Sequence, residues 1–133
     1  MRRRLGWLIG TIVFAAVVVA VAPRVFVDPA RVDRITFVNR TVYAAEVEVT
    51  DARRAGWLRL GTAERDTTTS VTRVIDQGDE WVFRFGSQGL DGGEIRMSKR
   101  DLIRSDWKVV IGVPIGDRLE MQGAPPTPSH ADA

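Results

Sequence analysis

Carboxylates are the side chains through which this sequence could most readily do chemistry. Asp76, Asp79 and Glu80 crowd one turn, and Asp91 and Glu94 flank Gly92-Gly93. Loops of this kind can offer oxygen ligands to calcium. Two carboxylates facing each other across a cleft can also hydrolyse a glycosidic bond. Neither cluster has the 12-residue spacing of a calcium loop, however. Asp and Gly have a simpler use in turns, where Asp bonds nearby backbone and Gly accepts positive φ. A turn role is the expectation, with a carboxylate hydrolase or a calcium- or glycan-binding module as the competing class.

The other reactive types are scarce. The chain has no cysteine, which excludes disulfides, thiolate chemistry and Cys-type zinc sites. Its one histidine, His130, lies in a proline-rich tail. A general base must be held within hydrogen-bond reach of its substrate, and a single imidazole is not a metal site. No catalytic residue, metal site or cofactor is expected. Trp57, Trp81 and Trp107 could stack on sugars, but Trp81 alternates with Phe83 and Phe85 in the manner of a core. Trp57, beside Gly56, is the candidate exposed aromatic. Asn39-Arg40-Thr41 matches the glycosylation pattern, yet Asn39 more simply begins a turn between two strands.

The elements that must position these groups read mostly as strands. In Thr41–Thr50, Tyr43, Ala45, Val47 and Val49 share one face, while Ala44, Glu46, Glu48 and Thr50 take the other. Glu80–Phe85 likewise puts Trp81, Phe83 and Phe85 inward and Arg84 outward. The turn Asp76–Asp79 predicts a hairpin of Thr67–Ile75 with Glu80–Phe85, although Arg73 muddles the first strand's parity. Further strands are expected at Arg34–Val38, Trp57–Leu60, Glu94–Ser98 and Trp107–Val113, where Pro114 stops the ladder. Arg118–Met121 could add a last short strand. Only Ser98–Ser105 reads as helix, with Ser98 as its cap. Six or seven strands fit a small antiparallel β-sandwich of immunoglobulin or fibronectin type III architecture, and a small open β-barrel is the alternative. On outward positions, Arg59, Arg84 and Arg96 can pair across strands with Glu46, Glu48 and Glu94.

Outside the strands, Leu5–Ala22 is an uncharged apolar run. As a helix it would reach roughly 27 Å, close to the thickness of a bilayer core. Arg2, Arg3 and Arg4 precede it, which places the N-terminus in the cytoplasm and the remainder outside. Ala20-Val21-Ala22 also fits a signal-peptidase site, but Pro23 follows it directly, so an uncleaved anchor is favoured over secretion. Gly6 and Gly10 have the spacing that lets membrane helices approach closely. The expected organisation is a basic stretch 1–4, a membrane anchor 5–22, a stalk 23–32, a β domain 33–122 and a disordered tail 123–133.

Basic residues number 19 against 17 acidic, but three of the arginines precede the anchor. The exported part therefore carries a slight acidic excess, which excludes the simple nucleic-acid reading. Interaction with another envelope or membrane protein, or service as an accessory subunit in the cell envelope, is the expected role. The glycine-rich stretch Gly86–Gly93 reads as a long loop, and Gly86, Gln88, Gly89, Leu90 and Asp91 are the candidate contacts. The alternative is that Leu90 folds back as a plug on the core.

Overall fold

The computed structural model describes residues 29–129. The segments 1–4 and 5–22, most of the stalk, and His130 lie outside the described residues. Among those described, no helix is long and apolar enough to cross a membrane.

The protein is mainly β, with strands in two sheets. One sheet has the order β4-β1-β7, from Thr68–Ile75, Arg31–Asn39 and Lys108–Ile111. The other has the order β3-β2-β5-β6, from Leu58–Ala63, Ala45–Asp51, Glu80–Ser87 and Leu90–Ser98. Helix α1 (Lys99–Arg104) precedes β7, and α2 (Val113–Met121) follows it. Both sheets feed one apolar cluster, in which Ile35, Phe37, Val109 and Ile111 join Val47, Val49, Phe83 and Phe85. Phe37 of one sheet meets Phe83 of the other edge to face, with ring centroids 5.7 Å apart.

Alternation locates the core where it is cleanest. Tyr43, Ala45, Val47, Val49, Trp81, Phe83 and Phe85 are all buried. In β4 the alternation fails for a local reason. Arg73 adopts φ 55°, and the pairing of β1 with β4 lapses at Asp33 and Arg73. Across that break the inward phase shifts, so Val71 and Val74 both reach the core, as do Val32 and Ile35 of β1. Strand β1 begins at Arg31, taking two residues from the expected stalk.

Four expectations are corrected. First, β4 and β5 do not form a hairpin, because β4 pairs with β1 while β5 lies between β2 and β6. Asp76 does make the turn, accepting from the Gly78 N–H at 2.8 Å, but this turn carries the chain from one sheet to the other. Turn chemistry fixes where a chain reverses and leaves its next partner open. Second, β1 and β7 pair in parallel, so the strands are not all antiparallel.

Third, Arg118–Met121 belongs to helix α2 rather than a strand. Pro114 stands in its first turn, where its missing N–H costs nothing, and buried Ile115 and Leu119 lie four apart on one face. Fourth, the start of the tail is ordered: Ala124 is buried, and the Thr127 N–H donates to Val42 O at 2.9 Å. The helix at Ser98 forms as read, with Ser98 Oγ accepting from the Asp101 N–H at 3.1 Å.

At the crossing from β1 to β2, the buried Asn39 side chain donates to Tyr43 O (2.7 Å) and Ala63 O (3.0 Å). Its Oδ1 accepts from Thr41 N (2.9 Å) and Thr41 Oγ1 (2.8 Å). A side chain this enclosed is a structural tie and not a glycan acceptor. Asn39→Ala is expected to cost about 3 kcal/mol, because buried carbonyls and a hydroxyl lose their partners. Asn39→Asp should cost more at neutral pH, with a carboxylate oxygen set against two carbonyls. Urea unfolding of both variants checks this; a loss below about 1 kcal/mol for Asn39→Ala would contradict it.

Candidate functional site

The outer face of the four-stranded sheet is built from the positions that alternate with the core. Glu46 and Glu48 lie on β2, Arg84 on β5 and Glu94 on β6, with Glu48 opposite Arg84 and Arg84 opposite Glu94. These residues line a groove of about 410 Å³ together with Gly86, Gly89, Leu90 and Asp91. Four of the five loop residues singled out from sequence therefore share one surface. Gln88, the fifth, faces elsewhere and donates to Pro125 O at 3.0 Å.

The loop itself is shorter than its glycines imply. Strands β5 and β6 run to Ser87 and Leu90, which pair, leaving only Gln88-Gly89 as the turn. Their φ values of 53° and 80° are both positive, as a two-residue hairpin of matching twist requires. Gly92 serves a different end. A Cβ there would stand 3.0 Å from Ile115 Cγ2 and 3.1 Å from Phe85 O, so its bareness lets α2 lie on the strand. Leu90 is half-buried against the core cluster, which is the plug arrangement.

Trp57 is half-buried instead of exposed. The Arg84 guanidinium lies 3.9 Å from its ring centroid and that of Arg54 lies 5.2 Å away. A ring already engaged by two cations is not an open sugar platform. Trp81 is fully buried, and Trp107 packs edge to face on it at 5.5 Å.

Each groove carboxylate has an arginine. Arg84 Nη2 donates to Glu48 at 2.9 Å, and Arg54 grips both oxygens of Glu94 at 2.8 and 2.6 Å. Arg118 lies 3.2 Å from Asp91, and Arg59 lies 3.7 Å from Glu46. Cross-strand pairing of the outward charges thus occurs, as Arg84–Glu48 and Arg59–Glu46. Arg96 instead reaches Glu80 at 3.1 Å, leaving Glu94 to Arg54. Sequence carried no signal for Arg54, which acts from a turn at φ 55°.

The Arg54 hydrogen bonds hold the Glu94 carboxyl below its usual range, outweighing partial desolvation, with help from the charges of Arg54, Arg84 and Arg96. In the turn, burial raises Asp76, but hydrogen bonds from Lys99 and the Gly78 N–H prevail and its pKa is also lowered. Lys99 Nζ sits 2.6 Å from Asp76. Among the described residues, no three of His, Cys, Asp or Glu are grouped to hold a metal ion. Comparison with protein-family profiles, curated proteins and solved structures finds no match to this chain.

The lowered pKa values fix a sign. A carboxyl that holds its proton less tightly when folded stabilises the fold above its unfolded pKa and loses that contribution as pH falls through the folded one. Glu94→Gln and Asp76→Asn should each flatten the loss of stability between about pH 5 and pH 3 relative to the parent chain. Thermal melts across that range check it, and parallel curves for variant and parent would refute it.

Proposed function

We propose that this chain is a single-pass membrane protein whose extracytoplasmic domain is a β-sandwich that binds an envelope or membrane protein. The contact of Phe37 with Phe83 supports a sandwich of the broad immunoglobulin or fibronectin type III kind over an open barrel. Arg2–Arg4 ahead of the apolar run 5–22 support an anchor with a cytoplasmic N-terminus. Binding is favoured over hydrolysis by one observation in particular. The groove carboxylates are clamped by arginines, and Glu94 is held in its ionised form. A general acid of a glycoside hydrolase needs its pKa raised, which is the opposite direction.

Of the four groove carboxylates, Glu46 is the most loosely paired, with Arg59 at 3.7 Å, which leaves the groove one carboxylate open to a partner's cation. The groove suits a partner segment that presents cationic side chains, and such charges act chiefly on orientation and association rate.

Two measurements test this reading. The full-length chain should sediment with membranes and resist alkaline extraction, with its C-terminal domain open to external protease. An N-terminal sequence beginning at Pro23 would establish the secreted form instead. Glu46, exposed and weakly paired, is the position at which to probe the groove. Glu46→Lys should change stability by no more than about 0.5 kcal/mol while lowering the yield of a membrane-protein cross-link formed through the groove. An unchanged yield would remove this face as the contact.

A further inference from the structure

Three side chains distant in sequence converge on three carbonyls of the C-terminal segment. Tyr43 Oη donates to Ala124 O at 3.3 Å, Gln88 Nε2 to Pro125 O at 3.0 Å, and Arg65 Nη1 to Thr127 O at 2.6 Å. Thr127 adds two bonds to the opposing backbone. Its N–H donates to Val42 O and its Oγ1 accepts from the Ala44 N–H, each at 2.9 Å. Ala124 is buried and Thr127 half-buried, while Pro125, Pro126 and Pro128 face solvent.

The backbone is what is read. Proline fixes φ near −65° and forces the residue before it into extended conformations, so Ala124, Pro125 and Thr127 are all preset. Recognition of a pre-extended segment through its carbonyls is the physics by which proline-rich peptides bind at low entropic cost. The enclosed positions call for a small residue at Ala124 and a hydroxyl residue at Thr127, and the two exposed prolines between them set the backbone. Gly123, at φ 83° and with open space where a Cβ would stand, joins this segment to α2.

The geometry points to a peptide-recognition site formed by Tyr43, Arg65, Gln88 and the Val42–Ala44 backbone. Its ligand class is an extended small-Pro-Pro-Thr segment, supplied in trans by a partner protein and occupied here in cis by residues 124–128. This site adjoins the groove, with Glu46 lining both, and its contacts do not involve the proposed anchor. The tethered segment competes at an effective concentration of roughly millimolar, so partner binding requires its displacement.

The test uses the full-length chain carrying Thr127→Pro, which removes both the N–H and the hydroxyl that hold the segment. A synthetic peptide Gly-Ala-Pro-Pro-Thr-Pro-Ser is titrated against it and followed by NMR. Saturable shifts are expected at Val42, Ala44, Arg65 and Gln88, at least tenfold weaker in the parent chain. Adding Arg65→Ala to the variant should weaken peptide binding by a similar factor. Three results would overturn the proposal: no saturable shift while the tail amides of the variant exchange freely, equal binding of a peptide with alanines for both prolines, or global unfolding of Thr127→Pro. Concentration-dependent shifts in the absence of peptide would assign the ligand to a second copy and overturn the partner assignment.

Discussion

Asn39 stands where the chain leaves one sheet for the other, and its buried carboxamide must find its partners at that crossing. It does so on both sides of the gap, binding the approach to β2 through Tyr43 and the end of β3 through Ala63. A buried amide is stable only when its donors and acceptors are matched. That requirement sets the phase with which β2 enters its sheet. Tyr43, Ala45, Val47 and Val49 then fall inward, and Glu46 and Glu48 fall outward into the groove. The same stretch offers Val42 O and Ala44 N to Thr127, so both candidate binding surfaces inherit their register from one side chain.

The sequence made some of this legible, according to how local the information was. Strands β2 and β5 are readable because the alternation of Tyr43 to Val49 and of Trp81 to Phe85 records the pleat, although Thr50 and Val82 on the opposite parity are buried as well. The Ser98 cap was readable because its bond spans three residues. The Asp76 turn was readable, but not its consequence, since which strand receives β4 depends on β1, some forty positions away. Helix α2 escaped notice because its apolar stripe has only Ile115 and Leu119, and the glycines receiving it looked like a loop. The order of the tail is not legible in the sequence, because prolines usually mark segments that pack poorly. Here a backbone stiffened by proline was held through its carbonyls, which no side-chain pattern records.

Charge follows a similar division. That Glu46, Glu48, Arg59 and Arg84 would face outward follows from parity alone. Which cation meets which anion does not, because Arg54 and Arg118 reach the groove from a turn and a helix. Exposed pairs of this kind contribute little to stability one by one. Their effect here is on the character of the surface: the carboxylates are each paired with an arginine, the Glu94 pKa is lowered, and Trp57 is covered by Arg54 and Arg84. The groove thereby carries paired charges of both signs, an arrangement unlike that of a general acid, which needs a raised pKa.

Strand β1 is central in its sheet, bonded to β4 along one edge and to β7 along the other. It is also the strand into which the N-terminal part of the chain directly leads. A pull transmitted from that end runs along the axis of β1 and across its hydrogen bonds. Both ladders are then loaded in shear, with many bonds strained together, rather than peeled open one at a time. A chain held from that side would therefore load this sheet through its central strand, which is paired on both edges.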